Sequence, residues 1–243
     1  MTGYVGDIEE RKRLAWDTIR RALDEGQACF GWNLDDSLEY AVINGYDDTG
    51  YHYDGVVNSR QRGTTDWRQL NWLEMYIVSR GMPADDRTVV RGALEFALEL
   101  TREPTKWSSF DERKTGLAGY DNWLTALANT PASDLSGHGV AYNLAVWNEC
   151  RAYAVKFLEE AARRLTPLAQ AEFADAIGQF RDVAAAMTAA REIFPWAPGS
   201  WNTWARDSQL IAKLIPHIAD ARNAEQHGLE AFSRIVAEIA TSD

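Results

Sequence analysis

The sequence predicts an α+β protein, with a small antiparallel sheet and an N-terminal helix followed by a large all-helical region. Three observations support this class. An amphipathic segment opens the chain, short apolar runs separated by Asp- and Gly-containing turns follow to about residue 78, and beyond residue 83 apolar residues recur only at helical spacing. We therefore expect two parts, residues 1–82 and residues 83–243, packed as one unit.

The first part is predicted to contain one helix and four strands. The helix runs from about Ile8 to Glu25, with acidic residues in its first turn and Gly26 as its stop. Apolar runs predict strands at Ala28–Trp32, Tyr40–Tyr46, Tyr51–Val57 and Leu70–Val78. The second and third strands form a hairpin, because the intervening Asp-Asp-Thr-Gly segment is typical of turns.

The second part is predicted to contain five helices. They cover about residues 87–102, 117–128 and 140–164, then a segment with Pro167 in its first turn that ends near Phe194, and a last helix from about Ala205. Asp85 or Asp86 is the expected N-cap of the first of these helices. Pro216 is expected to kink the last helix or to split it in two.

Composition excludes several classes of function. The net charge of −11 argues against nucleic acid as a partner, since phosphate binding depends on Lys and Arg. No apolar run approaches the roughly 20 residues that cross a membrane, and residues 1–13 lack the apolar core of a secretion signal. Cys29 and Cys150 are too few for a disulfide framework. We expect a cytoplasmic protein that contacts neither nucleic acid nor membrane.

Neither a metal site nor a cofactor is predicted. The four histidines lack zinc-binding spacing, and the sequence contains neither a P-loop nor a dinucleotide-binding fingerprint. Cys29 lies within a predicted strand and Cys150 within a predicted helix. Both are expected to be structural, with the thiol pKa of a buried cysteine raised rather than lowered.

Two carboxylates are the candidate catalytic residues. Glu39 precedes the second predicted strand and Asp54 lies in the third, so the two side chains are expected to approach across the hairpin and to shift each other's pKa. The alternative is that both are merely exposed. Asp47 and Asp48 are interpreted as turn residues.

Four residues of the helical part are candidate ligand-binding residues. Asn148 and Arg151 are polar residues within an otherwise apolar helix, and Tyr120 and Trp123 lie three residues apart on one helical face. Two interpretations of Arg151 stay open. It pairs with a carboxylate and ties helices together, or it binds an anionic ligand through its planar guanidinium. Tyr120 and Trp123 either line the ligand site or belong to the core.

Residues Trp16–Asp54 resemble papain-like cysteine peptidases of the bacteriocin-processing type. The matching segments are Asp24–Ala28, Glu39–Asp48 and Tyr51–Asp54. Over nearly its whole length the chain also resembles bacterial proteins akin to the N-terminal group of butirosin biosynthesis protein H, through the segments Gly116–Trp123 and Asn148–Ala154. The resemblance implies a papain-like sheet to which a helical region is attached.

The chain departs from these peptidases at both catalytic positions. Glu39 stands where the resemblance places the catalytic His, and no counterpart of the helix that carries the nucleophilic Cys is found. Cysteine peptidase activity needs the thiolate–imidazole pair, so we exclude it.

Three functions remain as hypotheses. The first is a degenerate peptidase-like scaffold that binds or modifies an unidentified small molecule, with Glu39 and Asp54 as catalytic residues. The second is a helical interaction module that forms a homodimer through the region after Gly139. The third is acyl transfer, as the butirosin relative implies, for which Cys29 is the one thiol near the predicted sheet.

Overall fold

The computed structural model describes residues 7–34, 39–55, 62–70, 74–107, 113–197 and 199–241. The predicted α+β class is confirmed. The chain divides into two compact units, Met1–Pro83 and Ala84–Asp243, called here the sheet unit and the helical unit. The expected packing of these parts as one body stays a prediction.

The sheet unit consists of helix α1 and an antiparallel sheet. The helix α1 covers Ile8–Asp24, and the strands are β1 (Ala28–Trp32), β2 (Tyr40–Tyr46), β3 (Tyr51–Gly55), β4 (Arg62–Thr65) and β5 (Met75–Val78). A short 3₁₀ helix, Trp67–Gln69, precedes β5. The strand order is β4-β3-β2-β1-β5, and every neighbouring pair is antiparallel.

The β2–β3 hairpin forms because its turn supplies its own hydrogen bonds. Asp47 Oδ1 accepts from the backbone N–H and the hydroxyl of Thr49, at 2.7 and 2.6 Å, and from the N–H of Gly50 at 3.2 Å. Asp47 Oδ2 lies 2.9 Å from His52 Nε2. These bonds confirm the predicted turn role of Asp47.

The core of the sheet unit lies on the sheet face that α1 covers. Alternate residues of the strands point into this core, including Cys29 from β1 and Ile43 from β2. Trp16 of α1 stacks on Trp67 with ring centroids 5.5 Å apart, so the 3₁₀ helix is also attached to α1. Buried Lys12 supports this attachment by donating to the backbone carbonyl of Arg68 at 2.7 Å.

The sheet differs from the predicted one at two places. Strand β4 was not predicted, because Arg62–Thr65 lacks an apolar alternation and forms the edge of the sheet beside β3. The predicted fourth strand is shorter, since Leu70 follows the 3₁₀ helix and the strand β5 begins at Met75. Val56 and Val57 of the predicted third strand and residues 71–73 of the fourth lie outside the described residues.

The helical unit contains six helices in the part of the chain that is described. They are α2 (Asp86–Arg102), α3 (Gly116–Asn129), α4 (Gly137–Arg164), α5 (Gln170–Ile193), α6 (Trp201–Ala205) and α7 (Ser208–Thr241). Asp85 is the N-cap of α2, and its side chain accepts from the backbone N–H of Thr88 at 2.9 Å. Helix α7 continues through Pro216 and is not split there, and Pro167 precedes the first turn of α5 instead of lying in it.

Helix α7 is central to the packing of the helical unit. It packs against α2, α3, α5 and α6, while α4 packs against α5 and α6. One core cluster joins α2, α4, α5 and the C-terminal half of α7, around Phe173 and Ile235. A second joins α3, α4, α5 and the N-terminal half of α7, around Tyr120 and Leu214.

Candidate functional site

A buried ion pair joins α4 to α7. Arg151 Nε donates to Glu225 Oε2 at 2.8 Å, and Arg151 Nη2 donates to Glu225 Oε1 at 2.7 Å. This two-bond arrangement fits the planar guanidinium to the carboxylate and fixes the orientation of both groups. The side chain of Glu225 is 7% exposed and that of Arg151 is 19% exposed. The first of the two interpretations of Arg151, a charge pair that ties helices together, therefore describes its contacts.

Aromatic side chains surround this ion pair. The Tyr120 hydroxyl of α3 donates to Glu225 Oε2 at 2.8 Å, so three helices meet at one carboxylate. The guanidinium carbon of Arg151 lies 4.5 Å from the centroid of the Trp147 ring, within the range of a cation–π contact. Trp147 in turn contacts the edges of Tyr120 and Trp123, with centroid distances of 4.4 and 5.8 Å.

Burial and charge shift the pKa values of Tyr120 and Arg151. Burial raises the pKa of Tyr120, and the negative charge of Glu225 raises it further, so the hydroxyl stays a donor. Burial by itself would lower the pKa of Arg151, but the charge of Glu225 and its hydrogen bonds more than offset this effect, and the pKa is raised. The guanidinium of Arg151 is therefore positively charged at every physiological pH.

A cavity of ≈ 280 Å³ lies beside the ion pair. Its lining comes from α2, α4, α5, α7 and the start of α3. Apolar side chains dominate the lining: Leu94, Ala97, Phe157, Phe180, Leu229 and Phe232. Among the described residues that line it, Arg151 and Glu225 are the charged ones. Cys150 also lines the cavity and is exposed, so a thiol reagent at this position reports on the cavity. Its expected structural role stays a prediction.

Gly116 allows α3 to begin close to α2 at the cavity. Its φ is +58°, in the left-handed region that favours glycine, and a Cβ at this position would lie 2.6 Å from Cα of Thr101. Any larger residue would push the two helices apart. Close packing of α3 against α2 therefore explains why a glycine stands at the start of the Gly116–Trp123 segment.

The four predicted ligand-binding residues do not share one surface. Arg151 lines the cavity, and Tyr120 is fully buried behind it through the bond to Glu225. Trp123 packs in the core beside Trp147. Asn148 faces α5, where its Nδ2 donates to the hydroxyl of Thr188 at 2.7 Å. A role in ligand binding stays a prediction for each of the four.

Glu225 was missed at the sequence level, although a signal was present. It occupies a position of the apolar face of α7, in the series Ile218, Ala221, Glu225, Leu229 and Phe232, whose other members are all buried. A single carboxylate within such a face requires a buried partner. Its partner Arg151 is 74 residues away in sequence, so the pairing itself was not visible.

In the sheet unit, the predicted catalytic carboxylates are not directly opposite each other. Asp54 pairs with Val42 in the β2–β3 register, whereas Glu39 lies three residues before Val42, about 10 Å along an extended chain. Asp54 Oδ2 accepts from Asn44 Nδ2 at 2.9 Å, and Asp54 Oδ1 lies 3.5 Å from Arg62 Nε. Glu39 is half-buried, and its backbone carbonyl accepts from Asn33 N–H at 2.8 Å. Their catalytic role stays a prediction.

Cys29 has the environment of a structural cysteine. It is 1% exposed in the core of the sheet unit, and burial raises the pKa of its thiol. A nucleophilic cysteine requires the opposite shift, because the thiolate is the reactive form. The expected burial and raised thiol pKa of Cys29 are confirmed, and acyl transfer stays a prediction.

No protein-family model matches the chain, and no curated protein matches it. The resemblance to papain-like peptidases therefore stays a prediction.

None of the helices in the described ranges is long and apolar enough to cross a bilayer. Within the same ranges, no group of three or more His, Cys, Asp or Glu side chains is placed to hold a metal ion.

Proposed function

We propose that this protein binds a small, mainly apolar molecule in the cavity of its helical unit. The observation that carries the proposal is a cavity of ≈ 280 Å³ whose apolar lining includes the buried Arg151–Glu225 pair. Ligand pockets typically measure about 300–1,000 Å³ and combine apolar walls with a few fixed polar groups. The cavity has this composition at the lower limit of that size, so the ligand is small.

The side chains around the cavity are held in place by their own contacts, which supports the cavity as a binding site. Protein interiors are packed about as densely as organic crystals, and voids larger than a water molecule are few. Here the neighbouring side chains have defined positions. Phe180 stacks on Phe232 with centroids 5.0 Å apart and an angle of 4° between the rings, and both line the cavity. The ion pair fixes the opposite helix faces of α4 and α7.

Binding without catalysis is the activity that these groups support. Arg151 and Glu225 neutralise each other, and the Tyr120 hydroxyl is already engaged as a donor, so the described residues of the lining include no free general base. Cys150 is the one thiol among these residues. The predicted roles of Glu39 and Asp54 belong to the sheet unit and are independent of this proposal.

The test uses N-phenyl-1-naphthylamine, a neutral apolar dye whose fluorescence rises in apolar sites. The full-length protein is expected to bind it saturably. Ala154→Phe, which places a large side chain on the cavity lining, is expected to weaken binding at least tenfold. Ala152→Phe is the matched control, since Ala152 lies on the same helix but is exposed and outside the lining. Absence of saturable binding to the wild type, or equal binding by Ala154→Phe, would overturn the proposal.

Self-association is a second candidate function, supported by an exposed apolar stripe on α4. Tyr142, Val146 and Tyr153 recur at helical spacing on one face and are 45%, 36% and 59% exposed. Contiguous exposed apolar surface is typical of interaction sites. Light scattering of the wild type is expected to report a dimer that the double variant Tyr142→Lys/Tyr153→Lys dissociates. Ala174→Lys, at an exposed position of α5, is the control, and a monomeric wild type would exclude this function.

A further inference from the structure

We propose that the ligand of the cavity carries an uncharged hydrogen-bonding group, a hydroxyl or a primary amide, attached to a short apolar chain or ring. This inference rests on the proposed function and specifies the chemical class of the ligand. It follows from the charge, the hydrogen-bonding capacity and the apolar remainder of the cavity lining.

The charge of the lining disfavours an ionic ligand. Arg151 and Glu225 are the charged residues of the lining among the described residues. Their hydrogen-bonded nitrogen and oxygen atoms lie 2.7–2.8 Å apart, and their net charge is zero. A ligand carboxylate that approached Arg151 would also approach Glu225, and the repulsion would offset the attraction. A ligand ammonium would be attracted to Glu225 and repelled by Arg151, again with little net gain. Neither ion would recover the free energy of losing its water, which is large for a charge in an apolar site.

The pair retains hydrogen-bonding capacity for a neutral group. The guanidinium of Arg151 has five N–H donors, and two of them are used by Glu225. The guanidinium also makes a hydrogen bond with the Tyr120 hydroxyl, and the N–H groups that Glu225 and Tyr120 do not use remain as donors. Glu225 Oε2 already accepts from Arg151 and from Tyr120, whereas Oε1 accepts one bond. The site therefore offers donors and one remaining acceptor position side by side.

A hydroxyl or a primary amide matches this arrangement, because each combines a donor and an acceptor. Its oxygen accepts from Arg151 and its proton goes to Glu225 Oε1. The rest of the ligand contacts Leu94, Phe157, Phe180 and Phe232, which have no hydrogen-bonding side-chain atoms. The ligand class is thus a neutral amphiphile of limited length, since the cavity measures ≈ 280 Å³.

The test compares probes of equal chain length at pH 8, namely octan-1-ol, octanamide, octanoate and octylamine. Each competes with N-phenyl-1-naphthylamine for the wild-type protein. Octan-1-ol and octanamide are expected to displace the dye at concentrations at least tenfold lower than octanoate or octylamine. Displacement by octanoate or octylamine at the same concentration as octan-1-ol would overturn the ligand class while leaving the proposed function intact. Failure of the dye itself to bind would overturn the proposed function.

A charge-changing variant separates this inference from the general preference of apolar sites for neutral molecules. Glu225→Gln removes the negative charge and leaves that of Arg151, so octanoate is expected to bind at least tenfold more tightly than to the wild type. The affinity for octan-1-ol is expected to change less than that for octanoate, because the hydroxyl carries no charge. Glu230→Gln, at an exposed position of the same helix, is the control and is expected to change neither. An unchanged affinity of Glu225→Gln for octanoate would contradict the inference.

A second variant keeps the test informative if Glu225→Gln does not fold. In Arg151→Met/Glu225→Leu the pair is replaced by apolar side chains of similar volume, a change that is commonly tolerated. Relative to its affinity for the dye, this variant is expected to bind octan-1-ol at least fivefold more weakly than the wild type does, because the partners of the hydroxyl are gone. Equal binding of octan-1-ol would show that the pair does not recognise the ligand.

Discussion

Removal of one partner of the Arg151–Glu225 pair is expected to destabilise the helical unit more than removal of both. Glu225→Leu leaves the guanidinium of Arg151 without a counter-ion. It also leaves the hydroxyl of Tyr120, a residue that is 0% exposed, without its acceptor. Breaking a buried pair in this way costs about 3–5 kcal/mol, and an unsatisfied buried hydroxyl costs roughly 1–3 kcal/mol.

The structure places the expected cost at the lower end of this range. The side chain of Arg151 is 19% exposed and lies on the face of Trp147, so water and the aromatic ring compensate part of the lost charge interaction. We expect a loss of about 4 kcal/mol in the free energy of unfolding, or about 8–16 °C in Tm for a chain of this size.

The double variant Arg151→Met/Glu225→Leu leaves no uncompensated charge. Its remaining cost is the unpaired Tyr120 hydroxyl, so we expect a loss of about 1–2 kcal/mol, smaller than that of Glu225→Leu alone. Adding Tyr120→Phe is expected to recover most of this loss. This order of stabilities is the opposite of what additive effects would give.

The assay is urea unfolding followed by far-ultraviolet circular dichroism, in which α2 to α7 supply most of the helical signal. Glu159→Leu is the matched control, because it breaks a pair with Arg181 in which the side chains are 46% and 62% exposed. Such a pair contributes about 0–1 kcal/mol. If Glu225→Leu lost less than the control, or if the double variant were less stable than Glu225→Leu, the account of a buried charge pair would be wrong.

Three further predictions address other parts of the molecule. In the native protein, iodoacetamide at pH 8 is expected to alkylate exposed Cys150 and not Cys29, whose thiol pKa is raised by burial, and mass spectrometry would reveal an accessible Cys29 if this is wrong. Gly116→Ala is expected to lower stability by more than about 2 kcal/mol because of its positive φ and its contact with α2, whereas Gly92→Ala, which meets no neighbouring atom, is expected to raise it by about 0.5–1 kcal/mol. Hydrogen bonds from a threonine hydroxyl, a histidine ring and backbone N–H groups lower the pKa of Asp47, so its stabilising effect is fully present above about pH 4 and is lost progressively as the pH falls. The difference in urea midpoint between wild type and Asp47→Asn is therefore expected to be clearly smaller at pH 2 than at pH 6, and an equal difference at both would refute it.

Local features of the fold could be predicted from the sequence because their causes lie within a few residues. The hairpin turn depends on Asp47 and the next residues along the chain, and the start of α2 depends on Asp85 and a bond to Thr88. Helix α7 was predicted from the spacing of its apolar residues, and of the two outcomes expected at Pro216, a kink or a split, the split did not occur. A proline removes one backbone hydrogen bond, and the packing of α7 against α2, α3 and α5 offsets that loss.

Strand β4 shows the limit of local signals. Arg62–Thr65 has no apolar alternation, and it is a strand because β3 offers an unpaired edge to its backbone. The same limit applies to α4. Asn148 and Arg151 are separated by less than one turn, yet one bonds to Thr188 of α5 and the other to Glu225 of α7. Their adjacency in sequence predicted one shared site, whereas the helix directs them to different neighbours.

Residue order and composition were sufficient for the fold class, the boundaries of most helices, the turn chemistry and the buried character of Cys29. Each of these follows from periodicity, from hydrogen bonds to near neighbours or from the preference of an apolar side chain for the interior. The pairing of Arg151 with Glu225, the hydroxyl of Tyr120 that completes it and the cavity beside them arose only when α3, α4 and α7 packed together. Glu225 is 74 residues from Arg151 and 105 residues from Tyr120, so no local interaction determines these contacts. The three-dimensional arrangement of the helices decides which polar groups meet in the interior.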